Sequence, residues 1–367
     1  MIMEEITIGI LIPNSGIMPM GKQFDRALKK ALKAELAETE FEPEILTETV
    51  GQGSPVLIEK ALDDFFGYHD VDLVAGLVTP KAIEGVVDRF EKRNIPLIMN
   101  NLGEHLIPTK GYGVNVLVNS THLWQHCFAM GQYAAQNLGK KGLVLGAMFD
   151  SGYAFLNCFQ LGLMSVDQDF DHDLKLLQLP QPGKLSEVKE AFDSIDIGAY
   201  DFVFPLFCGE EATLFIDEFH ARGLNNKTKI VALPFLFAPE KYDLAGLEMI
   251  STQNTLSDDV LWKNTFVSMG DKCGKAIGRV LVENNGKLNV EELKKNLESL
   301  DSSVSYDSTQ VPKLNSAITI LSHKVVSGNN VETKELAQID GPISENEHIV
   351  QSRDALASVW MNSYLAV

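Results

Sequence analysis

The sequence predicts an α/β protein built as two similar lobes, each a parallel sheet flanked by helices. Three observations lead there. Short apolar, β-branched runs alternate with stretches of helical periodicity from Ile6 onward. The alternation restarts near residue 112 and runs through a second time. No low-complexity linker divides the two runs, which favours close lobes joined by short crossings. The chain has 367 residues, roughly twice a usual domain, so two units are expected.

"ITIGILIP" (6–13) is a β-branched run stopped by Pro13 and reads as a buried strand. Residues 22–38 follow as an amphipathic helix, with Phe24, Leu28, Ala31, Leu32 and Leu36 on one face. "PEILTETV" (43–50) is a strand. "SPVLIEKALDDFFG" (54–67) is a helix with Ser54 as N-cap, Pro55 at the first helical position and Gly67 at its end. "VDLVAG" (71–76) is a strand, "PKAIEGVVDRFEKRN" (80–94) one helix and "IPLIMN" (95–100) a strand. Connections of a few residues between these elements imply parallel strands with helices on both faces.

In the second run, "YGVNVLVN" (112–119) is extended and 120–138 helical. "GLVLGAM" (142–148), "LKLLQL" (174–179), "YDFVFPLF" (200–207) and "KIVALPF" (229–235) are strands. Helices at 154–166, 184–195 and after Glu210 separate them. "DHD" (171–173) reads as a solvated loop before its strand. Two further helices span 262–284 and 289–300, and "AITILSHKVVSG" (317–328) is an extended segment or hairpin.

The formal net charge of −19 argues against nucleic acid, whose binding needs a positive surface. No apolar run reaches about 18 residues, so no membrane span is expected. "MIMEEITIGI" lacks a basic n-region followed by a long apolar core. The chain as written is expected to be cytoplasmic, or exported or lipid-anchored if Met1 is not the native start. Cys127, Cys158, Cys208 and Cys273 match no zinc spacing.

Glycines at 9, 16 and 21 do not fit a dinucleotide fingerprint, and neither a Walker pattern nor G-x-S-x-G occurs. His122 and His126 are spaced i, i+4 but have no third ligand in context, so an exposed or capped helix face is expected and no metal. Cys208 ends a strand and precedes a helix, where an enzyme might hold a nucleophile. Its neighbours Glu210 and Glu211 would raise its pKa, which opposes activation. Those glutamates suit a helix N-terminus instead. No catalytic residue and no cofactor are assigned.

In open α/β sheets the loops at the strands' carboxyl ends carry the ligand site. Here they are "NSG" (14–16), "LVTP" (77–80), "NNLGEH" (100–105), "FDSGY" (149–153), "FCGE" (207–210) and "PFLF" (234–237). They supply hydroxyls, amides, glycine and aromatics without arginine or lysine. Such a pocket hydrogen-bonds and stacks a small molecule and does not clamp phosphate. The candidate ligand-binding residues are Ser15, Thr79, Asn100, Asn101, Asp150, Tyr153, Cys208, Glu210 and Phe235.

The order "ITIGILIPNSG", "VDLVAGLVTP", "IPLIMNN", "GQYAAQNLGKKGLVLGAMFDSGY" and "YDFVFPLFCGEEATLFIDEFHARGL" resembles the type I periplasmic binding proteins over nearly the whole chain. The leucine/isoleucine/valine-binding receptors of ABC transporters are the branch it is most similar to. The resemblance implies three interlobe crossings, with one lobe at 1–119 plus 253–325 and the other at 120–252 plus 326–367. It also implies an amino acid or related apolar or aromatic ligand that favours lobe closure, and ABC-transporter membrane subunits as partners. Thr79 matches the family's first carboxylate-binding loop, Asn101 loosely the second, and Tyr153 the aromatic of the second lobe. The acid that often meets the ligand ammonium beyond the ninth strand is missing from "PFLF"; Asp150 or Glu210 would have to compensate. An intracellular ligand sensor of the same fold is the alternative, and a Cys208-dependent hydrolase ranks last.

Overall fold

The computed structural model describes residues 6–14, 19–148, 150–178, 180, 184–236, 245–254, 262–327 and 330–356, the side chain of Phe235 excepted. The first sheet is wholly parallel, in the order β2-β1-β3-β4-β5. Its elements are β1 (Thr7–Ile12), α1 (Met20–Glu35), β2 (Glu44–Thr49), α2 (Pro55–Gly67), β3 (Leu73–Leu77), α3 (Pro80–Ile83), α4 (Val87–Arg93), β4 (Leu97–Asn101) and β5 (Val116–Ser120). Strands β3 and β4 and the edge strand β5 are buried throughout, as strands covered on both faces must be.

The second sheet has the order β14-β13-β10-β9-β8-β6-β7. The chain enters it through α5 (Leu123–Asn137), then β6 (Lys141–Ala147), α6 (Ala154–Met164), β7 (Asp171–Leu177), α7 (Val188–Ser194), β8 (Phe202–Leu206), α8 (Gly209–Ala221), β9 (Lys229–Val231) and β10 (Glu248–Thr252). It returns to the first sheet with α9 (Thr265–Glu283), α10 (Val290–Leu300) and the small pair β11 (Val304–Tyr306) and β12 (Pro312–Leu314). It ends in the second sheet with the antiparallel strands β13 (Ile318–Ser327) and β14 (Asn330–Ile339), then α11 (Glu347–Ser352).

The chain thus passes between the sheets three times, after β5, after β10 and after β12. The last passage comes earlier than the sequence reading placed it. Ile318 already pairs with Ile339 in the second sheet, whereas residues through 325 were expected in the first lobe. Of the 317–328 segment, Ile318–Ser327 pairs antiparallel with Asn330–Ile339, and residue 328 lies outside the described residues. The single helix expected over 80–94 breaks at Glu84–Val86, where Gly85 and the β-branched pair Val86–Val87 are poor helix formers. "DHD" is the start of β7, paired with Lys141–Leu143 of β6, and not a loop.

Glycine sets the helix packing. Gly270, Gly274 and Gly278 form one stripe on α9, and a Cβ on Gly270 or Gly274 would lie within 2.4 Å of the Phe24 or Leu28 carbonyl oxygen of α1. Gly131 of α5 and Gly162 of α6 meet in the same way, each facing a carbonyl oxygen of the other helix.

Candidate functional site

The parallel strands of the two sheets bring their carboxyl ends together, and one strand exit from each supplies the contact. On the first lobe, β4 runs out into the loop 101–107, buried along its whole length. Gly103 has φ +81°, and a Cβ there would lie 2.7 Å from the Leu123 nitrogen, so only glycine lets the loop press against the start of α5. Leu123 and Trp124 donate their N–H groups to the carbonyls of Leu102 (2.8 Å) and Gly103 (3.2 Å). On the second lobe, β6 runs out into the turn Asp150–Gly152 and Tyr153, the N-cap of α6.

These exits touch. The N–H of Ala154 donates to the Glu104 carbonyl at 2.9 Å. The rings of His105 and Tyr153 meet edge to face at 6.0 Å between centroids. The Phe155 ring lies behind Tyr153 at 5.7 Å. Beside them Cys208, the N-cap of α8, donates its N–H and its thiol S–H to the two carboxyl oxygens of Asp150, at 3.2 and 3.0 Å.

The electrostatics of this junction are those of buried acids. Desolvation lifts Glu104 from 4.5 to about 7 against the backbone N–H groups of Glu104 itself, of Leu102, which donates to Oε2, and of Gly103. Desolvation also lifts Asp150 from 3.8 to about 7, opposed by the Cys208 hydrogen bonds and reinforced by Glu211. The Tyr153 hydroxyl is pushed up by burial and then by Glu104, Asp150 and Cys208 together. His105 is held neutral, its pKa lowered to about 4 by burial and by Lys81. The Cys208 thiol is pushed well above its ordinary range by burial, Asp150 and Glu211. A thiol in that state is a hydrogen-bond donor, the reverse of an activated nucleophile.

Several polar atoms here are buried and have no partner among the described residues: Asn101 Nδ2, Glu104 Oε1 and His105 Nε2. Their residues are 1%, 3% and 6% exposed. Buried polar groups are almost always satisfied, so orphans gathered in one loop mark a place where something binds.

The predicted residues divide. Asn101, Asp150, Tyr153 and Cys208 lie at the junction. Thr79 is fully buried at the start of α3, where its carbonyl accepts from Ala82 and Ile83 and its side chain does not cap the helix. Asn100 points elsewhere: side chains alternate along a strand, and its face of β4 is the one covered by α9. Its amide donates to the Gly76 and Ile98 carbonyls and toward Cys273 Sγ, and its oxygen accepts from Asn119. Glu210 is exposed, while Glu211 turns inward and accepts the Ser186 N–H. Ser15 and the side chain of Phe235 lie outside the described residues. Glu104 and His105 were missed, although "NNLGEH" was read as a site loop; a Gly-Glu-His step at a strand exit was the signal to weigh.

His122 and His126 are buried, against the expected exposed or capped face. His122 sits in the left-handed region before α5, and His126 Nδ1 lies 2.9 Å from Thr252 Oγ1 under the Trp262 ring. Among the described residues no group of three or more His, Cys, Asp or Glu is placed to hold a metal ion.

No protein-family model matches the chain, and no curated protein matches its sequence. Solved structures do match in shape. A solute-binding protein of an ABC transporter from Rhodopseudomonas palustris BisB5, in complex with 3,4-dihydroxybenzoic acid, superposes with a TM-score of 0.65 at 16% identity, over 92% of this chain and 97% of that one. The fold is that of the two-lobe solute-binding proteins. An ABC-transporter substrate-binding protein from Sphaerobacter thermophilus gives 0.63 at 17% identity, over 92% and 98%. A leucine-binding protein from Thermotoga maritima gives 0.57 at 14%, over 91% and 99%. The type I periplasmic binding-protein resemblance and the two-lobe α/β fold drawn from the sequence are borne out by these neighbours.

Proposed function

We propose that the chain binds a small molecule between its lobes and closes on it without chemistry, as the receptor of an ABC-type importer. One observation carries this reading: the carboxyl-end loops of two separate sheets meet at Glu104–Ala154 and His105–Tyr153. In an open α/β sheet that end is where ligands sit. Two such ends facing each other make a clamp, because a ligand that contacts both lobes favours the state in which both are near. The solute-binding neighbours support the transport role, and the benzoate and 3,4-dihydroxybenzoic acid complexes, with the leucine-binding protein beside them, support a compact ligand with an apolar or aromatic body. The raised thiol of Cys208 supports binding without covalent chemistry. We assign residues through 119 and from 253 to about 317 to the first lobe, and the rest to the second, following the sheets.

The test is a thermal-shift screen of amino acids, hydroxybenzoates, amides and amines, followed by X-ray scattering with the strongest stabiliser. A compound that binds only the folded state raises the melting temperature. It should also shrink the radius of gyration. A stabiliser that leaves an open protein open would contradict cleft binding.

A further inference from the structure

Resting on cleft binding, we infer that the ligand carries a cationic nitrogen, an ammonium or amidinium, held by Glu104 of the first lobe with Asp150 of the second nearby. Three features of the junction point there. Glu104 Oε1 is an acceptor buried without a partner among the described residues, on a residue 3% exposed. Its other oxygen is fixed by the Leu102 N–H, so the carboxyl is already oriented. Beside it, the edge-to-face pair His105 and Tyr153 sets one ring of each lobe against the other.

The second feature is the charge around it. Tyr153, whose neighbour Ala154 donates its N–H to the Glu104 carbonyl at 2.9 Å, feels both Glu104 and Asp150, so a carboxyl from each lobe bears on its hydroxyl. The groups facing these carboxyls are Tyr153 from α6, His105 from the same loop as Glu104, and Cys208 and Glu211 from α8. The cations near this loop among the described residues lie on its His105 side: Lys81, which acts on His105 and is paired with Glu84 at 3.0 Å, Arg353, whose Nε donates to the Ile107 carbonyl at 2.6 Å, and Lys110, which lines the same cavity. Burying like charges without a counter-ion is costly, and a group that neutralises them on binding removes that cost.

The third feature separates this ligand from the aromatic acids of the neighbours. A carboxylate ligand would add a third negative charge beside Glu104 and Asp150. An amidinium of the same size would offer N–H donors to a carboxyl oxygen that has none.

Desolvation raises the buried Glu104 and the partly buried Asp150 to about 7, so the sign of the pH dependence is set. A cation binds the ionised carboxyls and competes with protons, so its affinity rises between pH 6 and pH 8. A carboxylate binds the protonated carboxyls, so its affinity falls over the same interval.

Benzamidinium and benzoate are matched probes of near-equal size and opposite charge; leucine serves as the zwitterion. Calorimetry with each, at pH 6 and pH 8, on the wild type and on Glu104→Gln, tests the inference. The expected result is benzamidinium binding that strengthens several-fold from pH 6 to pH 8 and weakens tenfold or more in Glu104→Gln. Should the variant fail to fold, the wild-type pH slope still decides. Benzoate binding without benzamidinium or leucine binding, or an affinity for whichever of benzamidinium and leucine binds that the variant leaves unmoved, overturns the inference and leaves cleft binding standing. Binding of none of the three counts against both.

Discussion

Glu104 is a residue whose folded environment works against it. Its carboxyl is raised from 4.5 to about 7 by burial, so the stability it contributes is full below about 4.5 and is lost as the pH rises to about 7. Glutamine keeps the acceptor that holds the Leu102 N–H and cannot ionise. Glu104→Gln is therefore expected to match the wild type at pH 4.5 and to exceed it at pH 8 by up to about 3 kcal/mol, given about 1.4 kcal/mol per tenfold shift. Urea denaturation of the unliganded protein at both pH values measures this; a variant equally or less stable at pH 8 refutes the burial. A side chain that costs stability in the empty protein is what a binding residue often looks like. Cys208 behaves differently. Its thiol donates to Asp150, and a serine hydroxyl donates as well, so Cys208→Ser should keep the melting temperature and the ligand affinity within about twofold, with intact ligand recovered by mass spectrometry. Product formed by wild type alone would show an activated thiol. Of the site, Tyr153, Asp150, Cys208 and the loop that holds Asn101 were legible because strand exits can be located from hydrophobic periodicity. The Asp150–Cys208 pairing was not, since 58 residues separate the partners. Nor was the burial of Glu104, which depends on a second lobe folding against it.

At the scale of elements, the lobes keep their shape through helices in backbone contact. The α9 stripe Gly270, Gly274 and Gly278 was present in "MGDKCGKAIG", yet only the fold shows that α1 fills it. A Cβ on Gly274 would lie 2.3 Å from the Leu28 carbonyl oxygen, and backbone on both sides leaves no flexible group to yield. Gly274→Ala is expected to part the helices and cost about 1–3 kcal/mol, the usual penalty of overpacking. Differential scanning calorimetry reads it, and an unchanged melting temperature would mean that the helices are not in contact. Most elements were legible, because buried parallel strands read as short apolar runs and their helices as period-3.6 stripes. The failures have local causes. A weak centre at Gly85 divides an otherwise continuous helical pattern. The polar start of β7, "DHD", is an edge strand whose exposed residues need not be apolar. β10, "EMIST", is too short and mixed to stand out, and it gains its identity only by lying between β9 and β13.

For the whole molecule, two sets of buried groups oppose each other in acid. His105, His122 and His323 are lowered to about 4 and His126 to about 3, each chiefly by burial. The stability they contribute is present above 6.5 and is lost as the pH falls through those values. Glu104 and Asp150 gain on the same descent, but four histidines outnumber two carboxyls, so net stability should fall between pH 6 and pH 4. A melting temperature that rises steadily to pH 4 would contradict the histidine burial. The three passages between the sheets were expected from the resemblance, and the last was misplaced because β13 has the same apolar character whichever sheet it joins. The central claim is that one ligand is gripped by both lobes at once. Hydrogen exchange with and without the strongest stabiliser tests it most directly. Simultaneous protection of 101–105 in the first lobe and of 150–154 and 208–211 in the second is the predicted result. Protection confined to one lobe, or lying away from these loops, would contradict the account.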